Sequence, residues 1–287
     1  MKFFLIVNPI SGDKDKTGLI ANVRERLENE DSIETFETTG VNDLEQIKQK
    51  LTNKSFDRVL VAGGDGTVKL VAEAMEDCSL PIGILPAGSA NGLASDLGIS
   101  EKENEFIPIA LYGITRTIDA VCVDGKLSLH MSDMGLNAQL IEEYEKSSIR
   151  GKVGYAINSV STLFKNEAPY EFTIKLDDKE IKEQGIMLSF ANSKKFGTGA
   201  VVNPQGKIDD GIFEVLVFKK LDIVELIKTL NNPKELSEDF VEIYPTKRVA
   251  VTTNNPVPFQ VDGEFCDEVT QVTAYILPNR LEIAVPE

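Results

Sequence analysis

The 287-residue sequence predicts an α/β N-terminal domain on a mostly parallel sheet, followed by a domain of antiparallel strands. Three observations predict it. Short apolar runs alternate with helix-period segments along the first part of the chain. After about residue 113 the chain turns β-rich, with Gly, Asn, Asp or Pro between the runs. Three of the N-terminal strands also lead straight into loops of small residues, as strands of a parallel sheet do at their binding edge.

Phe3–Val7 is the opening strand. It is too short an apolar run for a secretory signal, and it ends in Asn8-Pro9 without a small-residue cleavage site. Leu19, Val23 and Leu27 then mark one helix face, and Ser32–Thr38 reads as a second strand. Leu44, Ile47 and Leu51 line the next helix, with Asn42 or Asp43 as its cap. Arg58–Ala62 is a third strand, Val68, Val71, Ala72 and Met75 line the helix after it, and Pro81–Leu85 is a fourth strand. Repeated strand–helix units imply a sheet covered on both faces.

Beyond the change in character, strands are expected at Thr117–Val123, Glu171–Leu176, Ile186–Ala191, Ile212–Phe218, Arg248–Thr253, Gln271–Leu277 and Leu281–Val285. Asp124-Gly125 signals a hairpin. Helices are expected at Asn137–Lys146 and Gly151–Phe164. The domains are therefore drawn as 1–123 and 124–287.

Composition narrows the function. With 42% apolar and 26% charged residues, the chain is ordinary for a folded protein, and no apolar run approaches the roughly 20 residues that span a bilayer. Three scattered cysteines and one histidine, His130, write neither a disulfide framework nor a zinc site, which fits a reducing cytoplasm. A formal net charge of −16 argues against nucleic acid as a partner and against long-range attraction to anionic membranes. Oligomeric state is not legible.

The chemistry concentrates in the loops. Gly63-Gly64-Asp65-Gly66-Thr67 lies between a strand and a helix start. Its glycines let backbone amides approach a phosphate, and the helix end adds free N–H groups. Asp65 would repel phosphate unless a divalent cation stood between them, so it implies Mg²⁺. Asn8-Pro9-Ile10-Ser11-Gly12 and Leu85–Gly92, which contains Ser89 and Asn91, follow two other strands. The pattern is neither a Walker A loop nor a dinucleotide fingerprint.

These segments, with Asn203–Gly211 and Val261-Asp262-Gly263-Glu264, occur in the order seen in the diacylglycerol kinase catalytic-domain family, which the sequence resembles over almost its full length. The resemblance implies a nucleotide-binding N-terminal domain, a C-terminal β-sandwich and an active site in the cleft between them. It implies transfer of the γ-phosphate of ATP to a lipid hydroxyl, most simply of a diacylglycerol type, by a cytoplasmic protein touching the membrane surface transiently. ATP contacts would come from Asn8, Pro9, Ile10, Ser11, Gly12, Thr38, Gly63, Gly64, Asp65, Gly66, Thr67, Ser89 and Asn91. Asp65 would also serve the catalytic metal–phosphate network, and Glu264 would accept the acceptor's proton. A structural Mg²⁺ would take backbone carbonyls of Lys207 and Ile212 and the carboxylate of Asp210. On the residues alone, Asp262-Gly263-Glu264 and Asp209-Asp210-Gly211 read as turns.

Two departures stand out. Val68-Lys69-Leu70 replaces the family's x-Asn-Glu, and Gly92-Leu93 replaces its Asp-Phe. The Gly88-Ser89-Ala90-Asn91-Gly92-Leu93 form is similar to sphingosine kinases, where an aspartate in the place of Asp133 recognises the amino-alcohol head group; a buried hydrogen-bonding role is the other reading of Asp133. The alternatives to a diacylglycerol-type kinase are a sphingoid-base kinase, an NAD kinase, and a nucleotide-binding regulator without turnover. His130 reads as structural, within an alternating strand. Arg150-Gly151-Lys152, Lys194-Lys195 and Lys219-Lys220 are the basic clusters available for a headgroup, and 192–199 reads as a loop after a strand, either a lid or a connector.

Overall fold

A computed structural model describes residues 1–13, 15–139, 141, 169–177, 179–196, 200–220, 222–231 and 233–287. The helix expected at Gly151–Phe164, most of the one at Asn137–Lys146, the Arg150-Gly151-Lys152 cluster and the end of the 192–199 loop lie outside these residues. The chain divides into two compact units, Met1–Ile118 with Asn279–Glu287, and Asp119–Pro278. A single cut at 123 differs from this, because the last residues of the chain return to the first unit.

In the first unit, β1 (Lys2–Val7), β2 (Ser32–Glu37), β3 (Arg58–Gly63) and β4 (Ile82–Pro86) pair in parallel in the order β4-β3-β1-β2. Phe3 to Val7 and Val59 to Ala62 are almost wholly buried, as strands covered on both faces must be. The coverings are α1 (Thr17–Glu25), α2 (Asp43–Asn53), α3 (Asp65–Ala74), the short α4 (Gly92–Asp96) and α5 (Glu103–Tyr112). Val68, Val71, Ala72 and Met75 are buried, as their spacing predicts. At roughly 1.5–3 kcal/mol for each large apolar side chain buried, this core holds the strand ends in place. Arg58 fastens α5 to the sheet by donating to the Ala110 carbonyl (3.1 Å) and the Gly113 carbonyl (3.2 Å).

The second unit is antiparallel. It contains β5 (Ile114–Val123) from Asp119 onward, β6 (Lys126–Ser128), β7 (Met131–Gly135), β8 (Tyr170–Leu176), β9 (Glu180–Gly185), β10 (Met187–Ala191), β11 (Lys195–Phe196) and β12 (Ala200–Val201). β13 (Phe213–Phe218), α6 (Ile223–Thr229), β14 (Val241–Thr246), β15 (Arg248–Val261) and most of β16 (Glu264–Val285) complete it. The strand β15 changes partner along its length. Its first half pairs with β8 and its end with β7, with register shifts between Thr252 and Val257 and between Phe259 and Gln260. Bulges of this kind bend a strand and let it change partner within one sheet. Phe172, Leu188, Phe190, Phe213, Val215, Val251, Phe259 and Val272 belong to the resulting core.

Two expectations change. Gln271–Leu277 and Leu281–Val285 are one strand, β16, which passes Pro278 and takes a left-handed residue at Asn279 (φ 54°), where the units divide. His130 is not in an alternating strand. It lies with Leu129 in a bend between β6 and β7, because the amides there are drawn to the Asp262 carboxylate. Asp124-Gly125 turns with positive φ at both residues (49° and 79°), the hairpin its sequence signals. No helix among the described residues is long and apolar enough to cross a membrane.

Candidate active site

The three small-residue loops of the first unit follow β1, β3 and β4 and touch one another. Gly12 has φ +64°, and a Cβ there would lie 2.6 Å from the Ala87 carbonyl oxygen. A Cβ on Gly88 would lie 2.4 Å from the Gly64 Cα. Glycine is therefore required at the places where loop meets loop. Hydrogen bonds complete the interlock. Asn8 Nδ2 donates to Thr67 Oγ1 (3.2 Å), the Asn8 amide to the Ala62 carbonyl (2.9 Å), and Ser11 Oγ to the Ala87 carbonyl (3.3 Å).

Gly64 caps α3 with an extended backbone and no side-chain cap, so the helix begins with amides that no side chain satisfies. Gly66 has open space where a Cβ would project. Thr67 is buried against Gly63 and Asn8. Pro9 and Ile10 are exposed, Ile10 strongly so at 84%. Thr38 stands at the end of β2 with its amide on the Val7 carbonyl (2.8 Å). The following turn is held by Asp43, whose carboxylate accepts from the amides of Thr39 and Gly40. Asp43 thus ties down the loop rather than capping its own helix, and Asn42 makes no side-chain cap either.

Asp65 is placed differently from a free metal ligand. Its Oδ2 accepts from the Gly92 amide (2.8 Å) and its Oδ1 from the Leu93 amide (3.0 Å), so it caps α4 from another loop. A carboxylate has about four lone-pair sites, so each oxygen retains one. Asn91, left-handed at φ 54°, closes a ring on Gly88: Oδ1 accepts from its amide (2.9 Å) and Nδ2 donates to its carbonyl (3.2 Å). Ser89, next to this ring, is exposed. The departures from the family have structural consequences here. Gly92 contributes an amide to Asp65, and Lys69 is buried on α3. One further residue carries no signal in the sequence. Lys16 is buried and donates its ammonium to the Ser11 carbonyl, adding positive charge to the first loop.

The other site residues lie in the second unit. Val261 pairs with Glu264 across a tight turn with φ 50° at Asp262 and 87° at Gly263, and Glu264 is exposed at the start of β16. Asp262 is the anchor of this turn. Its carboxylate accepts from Ser128 Oγ (2.9 Å) and from the amides of Leu129 (2.8 Å), His130 (3.1 Å) and Met131 (3.1 Å). That cluster of amides is what bends the chain at His130.

Asp133 on β7 is wholly buried, and its Oδ2 accepts from Asn137 Nδ2 (2.6 Å) and from Gln260 Nε2. Burial pushes its carboxyl up to about 7, against the downward pull of those hydrogen bonds. The arrangement is the buried hydrogen-bonding role, one of the two readings of this residue.

Lys207, Asp210 and Ile212 sit on one loop. Asp210 Oδ1 accepts from the Ile212 amide (3.3 Å). Asp119, a second residue without a sequence signal, shapes the same loop: its Oδ2 accepts from the Gly211 amide (2.7 Å) and its own amide donates to the Ile208 carbonyl (2.7 Å). Nearby, Glu214 is buried and burial raises its carboxyl, with the Asp210 charge adding and the Asn203 hydrogen bond opposing. No group of three Asp, Glu, His or Cys side chains suited to a metal occurs among the described residues. A carboxylate with two backbone carbonyls is nonetheless an all-oxygen donor set, which fits Mg²⁺ retaining several waters.

Residues 2–123 match the diacylglycerol kinase catalytic domain, and residues 131–285 match the YegS C-terminal NAD kinase beta sandwich-like domain. A Chromohalobacter salexigens protein named "Probable lipid kinase YegS-like" is 29% identical over 252 residues, covering 84% of this chain and 80% of the relative. A Staphylococcus aureus protein named "Putative lipid kinase" is 28% identical over 263 residues, covering 88% of this chain and 85% of its own. A Bacillus anthracis crystal structure named "a putative diacylglycerol kinase" superposes with a TM-score of 0.81 at 21% identity, over 99% of this chain and 96% of that one, and shares the fold. With the α/β domain and the β-sandwich-like domain matched in order, the chain belongs to the diacylglycerol kinase catalytic-domain family, in the form that carries a YegS-type C-terminal domain.

Proposed function

We propose that the chain is an ATP-dependent lipid kinase transferring the γ-phosphate to a hydroxyl of a diacylglycerol-type lipid. The observation that carries this reading is the interlock of three glycine loops at the carboxyl ends of β1, β3 and β4, around a helix N-terminus with uncapped amides. Asn8 to Gly12, Thr38, Gly63 to Thr67, Ser89 and Asn91 surround the nucleotide, with Lys16 as a fixed positive charge. Asp65 keeps the second and third loops in register, and its remaining lone pairs would be available to a Mg²⁺ ion that neutralises phosphate charge. Glu264 takes the proton of the lipid hydroxyl as its oxygen bonds to the γ-phosphorus and the bond to the β-phosphate oxygen breaks, releasing ADP. Mg²⁺ supplies neutralisation of phosphate charge, and Lys207, Asp210 and Ile212 would hold a structural ion. Full burial of Asp133 favours a diacylglycerol-type acceptor over a sphingoid base, whose amine would need that carboxylate.

The test is incubation with γ-labelled ATP and Mg²⁺ alongside diacylglycerol micelles, sphingosine micelles and NAD. Label in diacylglycerol is expected. Label in NAD alone would replace the reading with an NAD kinase, and tight Mg-ATP binding with no labelled lipid would make the protein a nucleotide-binding regulator.

A second prediction probes the interlock. Gly88→Ala forces a Cβ against the Gly64 Cα at 2.4 Å and the Gly64 amide nitrogen at 3.0 Å, backbone atoms that cannot step aside. Overpacking of about 1–3 kcal/mol corresponds to Mg-ATP binding weakened roughly five- to hundredfold, measured by calorimetric titration. Gly18→Ala on α1, where a Cβ meets nothing within 4 Å, should bind as the wild type does.

A further inference from the structure

The turn that carries Glu264 is tied on one side by Asp262, and its other side leads into the interior of the second unit. The Gly263 amide donates to Gln260 Oε1 at 2.7 Å. Gln260 is 1% exposed, and its Nε2 donates to Asp133 Oδ2, which also accepts from Asn137 at 2.6 Å. Gln260 and Asp133 are direct cross-strand partners on β15 and β7. The bulge between Phe259 and Gln260 lies immediately before this residue, where such irregularities re-aim a side chain.

From this geometry we propose that Asp133 and Gln260 are positioning residues which hold the Gly263 amide, and through it the exposed carboxylate of Glu264, in the orientation used for proton transfer. The inference rests on the lipid kinase reading and deepens it. Both ends of the Gln260 carboxamide are committed, one accepting and one donating, so its orientation is determined. Rotating it by half a turn would set donor against donor at Gly263 and acceptor against acceptor at Asp133. The partner at 133 selects the productive rotamer through Oδ2, which accepts from both Asn137 and Gln260 and so receives the NH₂ end of the carboxamide. A buried pair of this kind specifies geometry because it tolerates no alternative pairing. Both side chains are buried, so the pair acts through the turn.

The experiment uses the full chain and two readouts. Gln260→Met keeps length and removes both bonds. Lipid kcat should fall roughly ten- to hundredfold, as expected when a reacting group is displaced by about an ångström, with the KM for ATP within twofold. Amide hydrogen exchange over residues 261–265 should quicken in the same variant. Gln260→Glu, assayed above about pH 8 so that neither carboxyl brings a proton to the pair, sets two carboxylates face to face and should behave likewise. The combined D133N/Q260E variant restores a donor–acceptor pair with its direction reversed, Asn137 turning its amide oxygen toward the new carboxamide. It should regain most of the kcat and the slow exchange.

Wild-type kcat and exchange in Gln260→Met would overturn the proposal, as would a combined variant no better than Gln260→Glu. If Gln260→Met fails to fold, the comparison of Gln260→Glu with the combined variant decides. If the wild type labels no lipid at all, the kinase reading fails on its own account. The exchange data then still judge the pair: unchanged exchange in the variants overturns it, and quickened exchange reversed by the combined variant supports it.

Discussion

Glu264→Gln is expected to lower lipid phosphorylation by about 10²–10⁴-fold, the range a positioned general base contributes, while Mg-ATP affinity and thermal stability stay at wild-type values. The reasoning begins with the turn. Glu264 is exposed, and the geometry of Val261–Glu264 is fixed by its neighbours: Asp262 collects three amides and a hydroxyl, and Gln260 collects the Gly263 amide. Replacing the carboxylate by an isosteric amide therefore removes a proton acceptor without loosening the scaffold. A loss of that size corresponds to about 3–5 kcal/mol of transition-state stabilisation. Asp262→Asn supplies the contrast. It would present an NH₂ group to donors and lower stability and turnover together, since a buried donor left unsatisfied costs about 1–3 kcal/mol. Single-turnover rates with saturating diacylglycerol, beside thermal melts, separate the two. Turnover in Glu264→Gln within threefold of wild type would remove this residue from the mechanism.

The elements most legible in the sequence are those whose signal is local. The strands from Lys2, Ser32, Arg58 and Ile82 are short apolar or β-rich runs bounded by turn residues, and the glycine loops announce themselves by composition. What escaped was hidden by a residue with a second meaning. Pro108 lies inside α5, where a proline usually argues against a helix. Glu180–Gly185 is charged, and Val241–Thr246 contains Pro245; each forms a strand, and among the described residues β14 pairs only with β13, where an edge strand tolerates proline. Pro278-Asn279 reads as a break, yet β16 continues through it.

Within the site, the loops could be placed but not the work of their polar side chains. Asp65 gives both oxygens to amides at Gly92 and Leu93, a pairing 27 and 28 residues apart that no spacing rule anticipates. Asp119, Asp262 and Lys16 are ordinary surface residues by composition. Their burial or their partners come from tertiary structure, and only coordinates reveal them. Asp133 is the sharpest case: the same residue type in the same motif serves either a ligand or the interior, and exposure alone separates the two.

That burial has a measurable consequence in pH. The Asp133 carboxyl is raised from an ordinary 3.8 to about 7, first because burial penalises its charged form, with the Gln260 and Asn137 hydrogen bonds opposing. Between these values the folded protein holds a proton that the unfolded chain has released, so stability must fall as pH rises through this window. The contribution is fully present below the unfolded value near 4 and is lost by the time pH passes about 7. Three units of separation correspond to about 4 kcal/mol, on the order of a third of a typical domain's stability. Asp133→Asn removes the titration while keeping an oxygen for Gln260 and Asn137. Its stability relative to wild type should therefore improve steadily from pH 4 to pH 7.5 in urea unfolding, and other groups cancel in the difference. A constant difference across that range would mean the carboxyl ionises freely in the folded state and is hydrated, in which case it is open to solvent or ligand after all and Asp133 returns to the list of groups that touch substrate.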